Sequence, residues 1–590
     1  MSKENQQDIR WTIEKMYASE EAVRKDLSQV KEATERLKTY AKAPAQHIKD
    51  ILDTINRDMR LAENVVVFTH MQQDQDSRVS SAQKLNQEAL SIIYDFDAAL
   101  SFFRPFLLSL SKEEQKALLE DASLSDYHLM LKKTFRYSAH TLTADQEYVL
   151  SKMGFLNEAP ENIYYFLTNA DLKFPTLDSK DGAQLTGENF TTIQQDPDVA
   201  VRKESFEKLY QTFKSFGNTI ATAYYNNVKA LTTMAELRHY DSARQMELFE
   251  DDVEEAVYDS LLSSIHKNMD LMHRYYAKKK ELLGLKEQHM YDVYLPLVKG
   301  ASKTYTFEEA KELCIASVAP MGEEYQKIYR QAFEEGWVDV YPREGKRGGA
   351  YSSGSYDSQP YILMNFTGTL DSVFTLAHEM GHSMHSYFAK QANDYLYHDY
   401  TIFAAETAST FNENLLLHYM MQHAQGDREK QELLAHHLDS FKSTVYRQSM
   451  FAEFEKIVHE RVEAGEALTQ ADLDQIYLEL NQTYFGEAMV SDELIAHEWM
   501  RIPHFYGDFY VYKYATGYCA STVLAQRVLQ EGEGAVADYF RFLRDGNHHY
   551  PIEQLKMAGV DMSKPETVDQ ALGVFRKLID QLEEIDHLAD

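Results

Sequence analysis

Apolar residues fall at three- and four-residue intervals through most of the chain, and polar, charged faces fill the gaps. Ile48, Ile51, Leu52 and Ile55 show the spacing clearly, and it predicts helix after helix over residues 8–155, including a long helical pair before Pro105. The texture changes at 160–200. Asn162–Asn169 and Phe174–Leu177 read as extended, a polar stretch follows, and helices resume near Asp198 and run to 290. Tyr291–Leu297 reads as a short aromatic linker. A sharper change comes at Gly345, Gly348, Gly349 and Gly354, four glycines within ten residues. Ala350–Ser353 and Tyr361–Phe366 then predict strands, the second bounded by Pro360 and Gly368. Helical spacing returns over 372–390 and 401–413 and holds from 414 to 590, with an aromatic interruption at 499–518.

The chain has 590 residues, too many for one simple core, and a soft boundary near 197 divides it into an N-terminal helical lobe, 1–197, and a second region, 198–590. Hydrophobic residues make up 44%, so burial is ample. With 24 glycines and 12 prolines, long uninterrupted helices are expected. A net charge of −33 speaks against a nucleic-acid partner, because phosphate binding needs a basic surface. No run approaches the ~20 apolar residues of a membrane helix, and the polar start lacks an apolar signal core. Cys314 and Cys519 are expected as free thiols. A cytoplasmic protein with no membrane partner is the expectation. Its oligomeric state is open.

The chemistry is concentrated in His378-Glu379-Met380-Gly381-His382. On a helix, residues four apart share a face, so the two imidazoles point the same way and suit one Zn²⁺ per chain, and Glu379 is placed to act as general base. Gly381 costs about 1 kcal/mol of helix propensity against Ala, which fits a helix that another backbone approaches closely. A catalytic zinc takes three protein ligands and keeps a position open. Glu406 lies in an otherwise small and apolar run, where a lone carboxylate is costly to bury unless it is paired or bound to a cation, and it is the expected third ligand. His385 competes for that role, but three histidines along one straight helix would spread over ~10 Å, too far for one ion. Glu413, two turns beyond Glu406, is placed to accept a hydrogen bond from a ligating histidine. The strand before the motif has a use as well: an exposed edge can pair with an extended peptide, and a mobile glycine loop can approach its backbone, so Gly349, Ala350 and Tyr351 are candidate substrate contacts.

The block from Ala377 to Glu413, together with Glu498–Tyr506 and Phe509–Gly517, resembles the thimet-oligopeptidase-like (M3) family of zinc metallopeptidases, most of all its oligoendopeptidase F branch. The resemblance reaches back to about residue 115, with 115–185 similar to the family's N-terminal oligopeptidase domain. It implies a mainly α, two-lobed helical zincin with a small β-sheet beside the motif helix and a deep central channel that admits oligopeptides and excludes folded proteins. It also implies that 198–590 is the catalytic domain and that His504 and one or two tyrosines donate hydrogen bonds to the substrate and to the oxyanion. Tyr510 and Tyr512 are assigned to the oxyanion, with Tyr506 and Tyr514 as substrate contacts. Tyr506, Tyr510 and Tyr514 recur at four-residue spacing, as on one helical face. The expected function is cleavage of internal peptide bonds by a zinc metalloendopeptidase. Two other readings are a zinc metallo-carboxypeptidase of related helical fold, for which Arg501 is the candidate grip on a C-terminal carboxylate, and a helical binding protein without catalysis.

Overall fold

A computed structural model describes residues 9–298 and 303–588. The protein is mainly helical, with one two-stranded and one three-stranded sheet among the described residues. The chain forms two compact units, each assembled from three separate stretches.

The first unit takes residues 9–147, 303–419 and 524–559. Its N-terminal helices follow from their spacing. Helix Glu20–Tyr40 buries Val23, Leu27, Val30 and Leu37, and Ser19 caps it by accepting the Ala22 N–H. These side chains join Val65, Phe68 and Met71 of Arg60–Gln75 and Leu85, Ala89, Ile92 and Phe96 of Ser80–Leu100 in one core. Pro105 sits in the first turn of Phe103–Ser109, where its missing N–H costs nothing.

Tyr361 and Leu363 belong to that same core. They lie in the central strand Tyr361–Leu363 of the three-stranded sheet, with Val338–Asp339 parallel on one side (Val338 opposite Ile362) and Tyr351–Ser353 antiparallel on the other (Ser352 opposite Ile362). The run expected to offer an open edge is therefore interior, and the outer strand beside it is Tyr351–Ser353. Helix Leu370–Ala392 follows the sheet. Thr369 caps it by accepting the Ser372 N–H at 3.2 Å, and its buried face includes Phe374, Ala377, Met384 and Phe388. Phe388 meets Phe540 of helix Glu533–Arg544 edge to face at 5.0 Å. Helix Ile402–His423 crosses it at Gly381, where a Cβ would stand 2.6 Å from both Ala408 O and Ser409 Cα.

The second unit takes 148–298, 420–523 and 560–588. Asp198 caps helix Val199–Ser215, as the spacing predicts. Residues 162–169, expected to be extended, are instead helical, in Ala159–Phe166 and the wider turn Leu167–Asp171 that follows. Their aromatic and β-branched residues favour strands in general, but the helix is fixed by the packing of Tyr164 and Leu167. Only Thr176–Leu177 forms a strand there, paired with Ala183–Gln184. Deeper in this unit Glu498 is buried between Arg447 and Arg501, 2.8 Å from each, and accepts hydrogen bonds from Tyr210 and Tyr477. Those partners hold its carboxyl well below the usual range although burial alone would raise it. Cys314 and Cys519 are buried and free.

Candidate active site

In the first unit, His378 and His382 stand one turn apart on Leu370–Ala392, with their Nε2 atoms 3.2 Å apart. Glu406, on Ile402–His423, brings its Oε2 to 3.7 Å from His378 Nε2. Ligand atoms of these three half-buried residues all lie within 4.8 Å of one another. Nothing in the covalent chain requires that convergence. It follows from the close crossing at Gly381, which seats the carboxylate one turn away on the neighbouring helix.

Glu413 sets the orientation of the first imidazole. His378 Nδ1–H donates to Glu413 Oε1 at 2.5 Å, which turns Nε2 toward His382 and Glu406. Burial lowers the proton affinity of His378, but the hydrogen bond and charge of Glu413, with Glu379 and Glu406 nearby, raise it overall to about 9. Burial and the adjacent His378 hold His382 down at about 3, so that ring stays neutral. Two imidazoles and a carboxylate, one ring neutral and the other oriented through its far nitrogen, fit a zinc ion by donor type.

Glu379 is buried at 7% exposure, and its Oε2 has no hydrogen-bond partner among the described residues. Burial pushes its carboxyl up to about 7; His378 and a hydrogen bond from the Ser352 backbone oppose this, while Glu406 and Glu413 add to it. Such a group exchanges a proton near neutral pH. The outer strand is fastened to the motif helix by Ser352 Oγ and Ser383 Oγ, 2.8 Å apart. No residue pattern marked Ser352, because it acts on Glu379 through its backbone.

The glycine loop is anchored rather than loose. Asn365 donates to the carbonyls of Arg347 (3.0 Å) and Gly349 (2.8 Å), Ser77 N–H donates to Gly345 O at 2.7 Å, and Tyr351 OH donates to Asp74 at 2.9 Å. Gly349 has φ +80°, a conformation that suits glycine, and Ala350 is half-buried beside it. His385 stands outside the three-residue group: it stacks on Tyr400 at 3.6 Å and is buried.

In the second unit the aromatic segment breaks into separate parts. Tyr506 ends the short turn Pro503–Tyr506, is nearly buried, and stacks on Tyr164 at 4.6 Å. The helix starts only at Tyr512, after a turn in which Phe509 takes φ +53°. The four-residue spacing therefore does not mark one helical face: Tyr510 and Tyr514 meet at 5.3 Å, and Tyr506 points elsewhere. Tyr512 is fully buried against Tyr258 at 5.1 Å, while Tyr510 and Tyr514 are half-buried and exposed His504 lies 6.1 Å from Tyr514. Arg501, the candidate grip for a C-terminal carboxylate, is committed to Glu498.

Fold and site together define a helical peptidase. The chain belongs to peptidase family M3, whose family model matches residues 192–574; a second model, described as Oligopeptidase F, matches 107–174. The chain is 39% identical over 581 residues to Oligopeptidase PepF of Bacillus subtilis (strain 168), covering 98% of this chain and 87% of that one. The crystal structure of oligoendopeptidase-F from Enterococcus faecium matches with a TM-score of 0.73 at 33% identity over 97% of this chain and 99% of the other. A solved structure from Chlamydophila abortus matches with a TM-score of 0.90 at 32% identity over 98% of each chain.

Proposed function

We propose that this peptidase is a zinc metalloendopeptidase that hydrolyses internal bonds of short oligopeptides. The observation that carries the reading is the convergence of His378, His382 and Glu406 beside a buried, partner-poor Glu379, with Glu413 orienting His378. These three residues would hold the ion. Bound zinc supplies Lewis acidity, which makes water acidic near neutral pH and polarises a carbonyl. Glu379 accepts the proton of the attacking water and passes it to the leaving amine nitrogen. Glu413 keeps His378 in one tautomer and orientation. His504 and Tyr510 donate hydrogen bonds to the carbonyl oxygen as it gains negative charge; the burial of Tyr512 favours Tyr510 for this part. The outer strand Tyr351–Ser353, with Gly349 and Ala350, would receive the extended peptide backbone, and Tyr514 would shape the space for its side chains, whereas the burial of Tyr506 against Tyr164 sets that residue aside.

The names of the relatives, oligopeptidase and oligoendopeptidase F, support a short-peptide substrate cut internally, and the commitment of Arg501 to Glu498 favours internal cleavage over a C-terminal grip. No helix among the described residues is long and apolar enough to cross a membrane, and two free buried thiols suit a reducing cytoplasm.

The test uses a short, internally quenched peptide blocked at both ends. Cleavage should proceed with zinc bound and stop with phenanthroline. Glu379→Gln should keep the zinc while kcat falls by about 10²- to 10⁴-fold. Near-normal turnover of Glu379→Gln would refute the assigned base, and zinc without internal cleavage would favour an exopeptidase.

A further inference from the structure

Outside both motifs, the second unit holds a buried group whose contacts converge on the turn before Tyr510. Glu455 and His459 stand one turn apart on helix Arg447–Glu463 and are 0% and 1% exposed. Glu455 Oε1 accepts the backbone N–H of Phe509 at 2.6 Å. Phe509 is the residue with φ +53°, a left-handed conformation that a bulky side chain keeps only when its surroundings impose it. Its ring packs on His459 at 4.5 Å and on Tyr258 at 5.9 Å. The preceding residue is held from another helix: Asn227, on Gly217–Leu237, donates to Asp508 Oδ1 at 3.0 Å, and the same oxygen lies 3.5 Å from His459 Nε2. Beyond the turn, Lys513 pairs with Asp251 at 2.7 Å. Two helices thus grip consecutive residues of a strained turn, and the next residue is Tyr510.

We propose that Glu455 and Asp508 are positioning residues of the peptidase reaction, holding the Phe509 turn so that Tyr510 is presented to the substrate. This rests on the part given to Tyr510 above. Burial, with Asp508 close by, pushes the Glu455 carboxyl well above the usual range, which favours its neutral form. Glutamine has the same shape as that neutral acid and keeps the carbonyl acceptor. Methionine keeps the length and loses the acceptor. The two substitutions therefore separate the hydrogen bond from the filling of space.

The experiment compares full-length Glu455→Gln and Glu455→Met with the wild type in steady-state kinetics, zinc content, thermal melting, and amide hydrogen exchange over 505–512. Glu455→Met should lose kcat by roughly 10- to 100-fold, the scale expected when a catalytic group is misplaced by about an ångström. It should also speed exchange in the turn while zinc content stays that of the wild type. Glu455→Gln should restore both readouts. Asn227→Ala, a helix-favouring change, releases Asp508 and should loosen the turn with a smaller fall in kcat; it carries the test if Glu455→Met does not fold. Wild-type kcat and exchange in a folded Glu455→Met, or equal losses in both Glu455 variants, would overturn the proposal. So would a second metal equivalent lost on Glu455→Gln, which would make Glu455, His459 and Asp508 ligands instead. Faster exchange in the turn of Glu455→Met, set against a wild type without chelator-sensitive cleavage, would refute the peptidase reading of the site and leave the hold on the turn intact.

Discussion

Glu413 shows what one side chain adds to a metal motif. Two histidines on a helix face can rotate, and each offers two nitrogens. The Nδ1–H bond to Glu413 commits His378 to present Nε2. Glu413→Gln can still accept that bond but carries no charge, so zinc affinity should fall by about 10- to 100-fold. Competition with a chromophoric chelator reads the change, and saturating zinc should restore most of the turnover. An unchanged affinity would mean that Glu413 does not tune the site. At this scale the sequence was informative where spacing alone decides, as for His378 and His382. It misled where a backbone turn intervenes. Tyr506, Tyr510 and Tyr514 have helical spacing, yet the left-handed Phe509 separates Tyr506 from the other two, and a phenylalanine gives no sequence sign of such a φ. His385 has the stripe position of a ligand and the surroundings of a core ring.

Between elements, the decisive feature is the crossing at Gly381. Ala408 and Ser409 approach too closely for any Cβ, and Glu406 lies one turn or less away on the same helix. Gly381→Ala should push the two helices apart, cost about 1–3 kcal/mol as overpacking does, and carry Glu406 away from the histidines. A lower melting temperature together with weaker zinc binding is expected; loss of stability with unchanged zinc affinity would separate the crossing from the site. The glycine inside the motif announced this approach, because it departs from good helix propensity in a place where nothing else needs it. Strand order gave no such sign. Tyr361–Leu363 reads as a strand from its composition, but both of its neighbours precede it in sequence, one of them parallel to it, and alternation cannot say which strand is central. The helix at 159–166 was obscured for a related reason. Ile163, Tyr165 and Phe166 are exposed, so the buried pattern that marks a helix is carried by few residues.

Across the molecule, each unit draws on three stretches of chain that alternate along the sequence. Periodicity is local and says nothing about which distant stretches meet. Hence the helical class was legible and this grouping was not. The alternation fixes an order of events during synthesis. The motif helix emerges well before Phe540 and Phe542, which cover its far side and meet Phe388 and His385 at 5.0 and 5.2 Å. A chain stopped after residue 523 would contain every proposed ligand and still leave that side of the helix bare. It should bind zinc poorly and be cut by an added protease within 370–392, whereas the full chain resists; protection equal to that of the full chain would show that the helix is secured earlier. For the growing polypeptide, the proposed peptide-cutting centre would be among the last parts to come into working order, so a chain still attached to its ribosome would carry the ligand residues without yet being able to act on its neighbours.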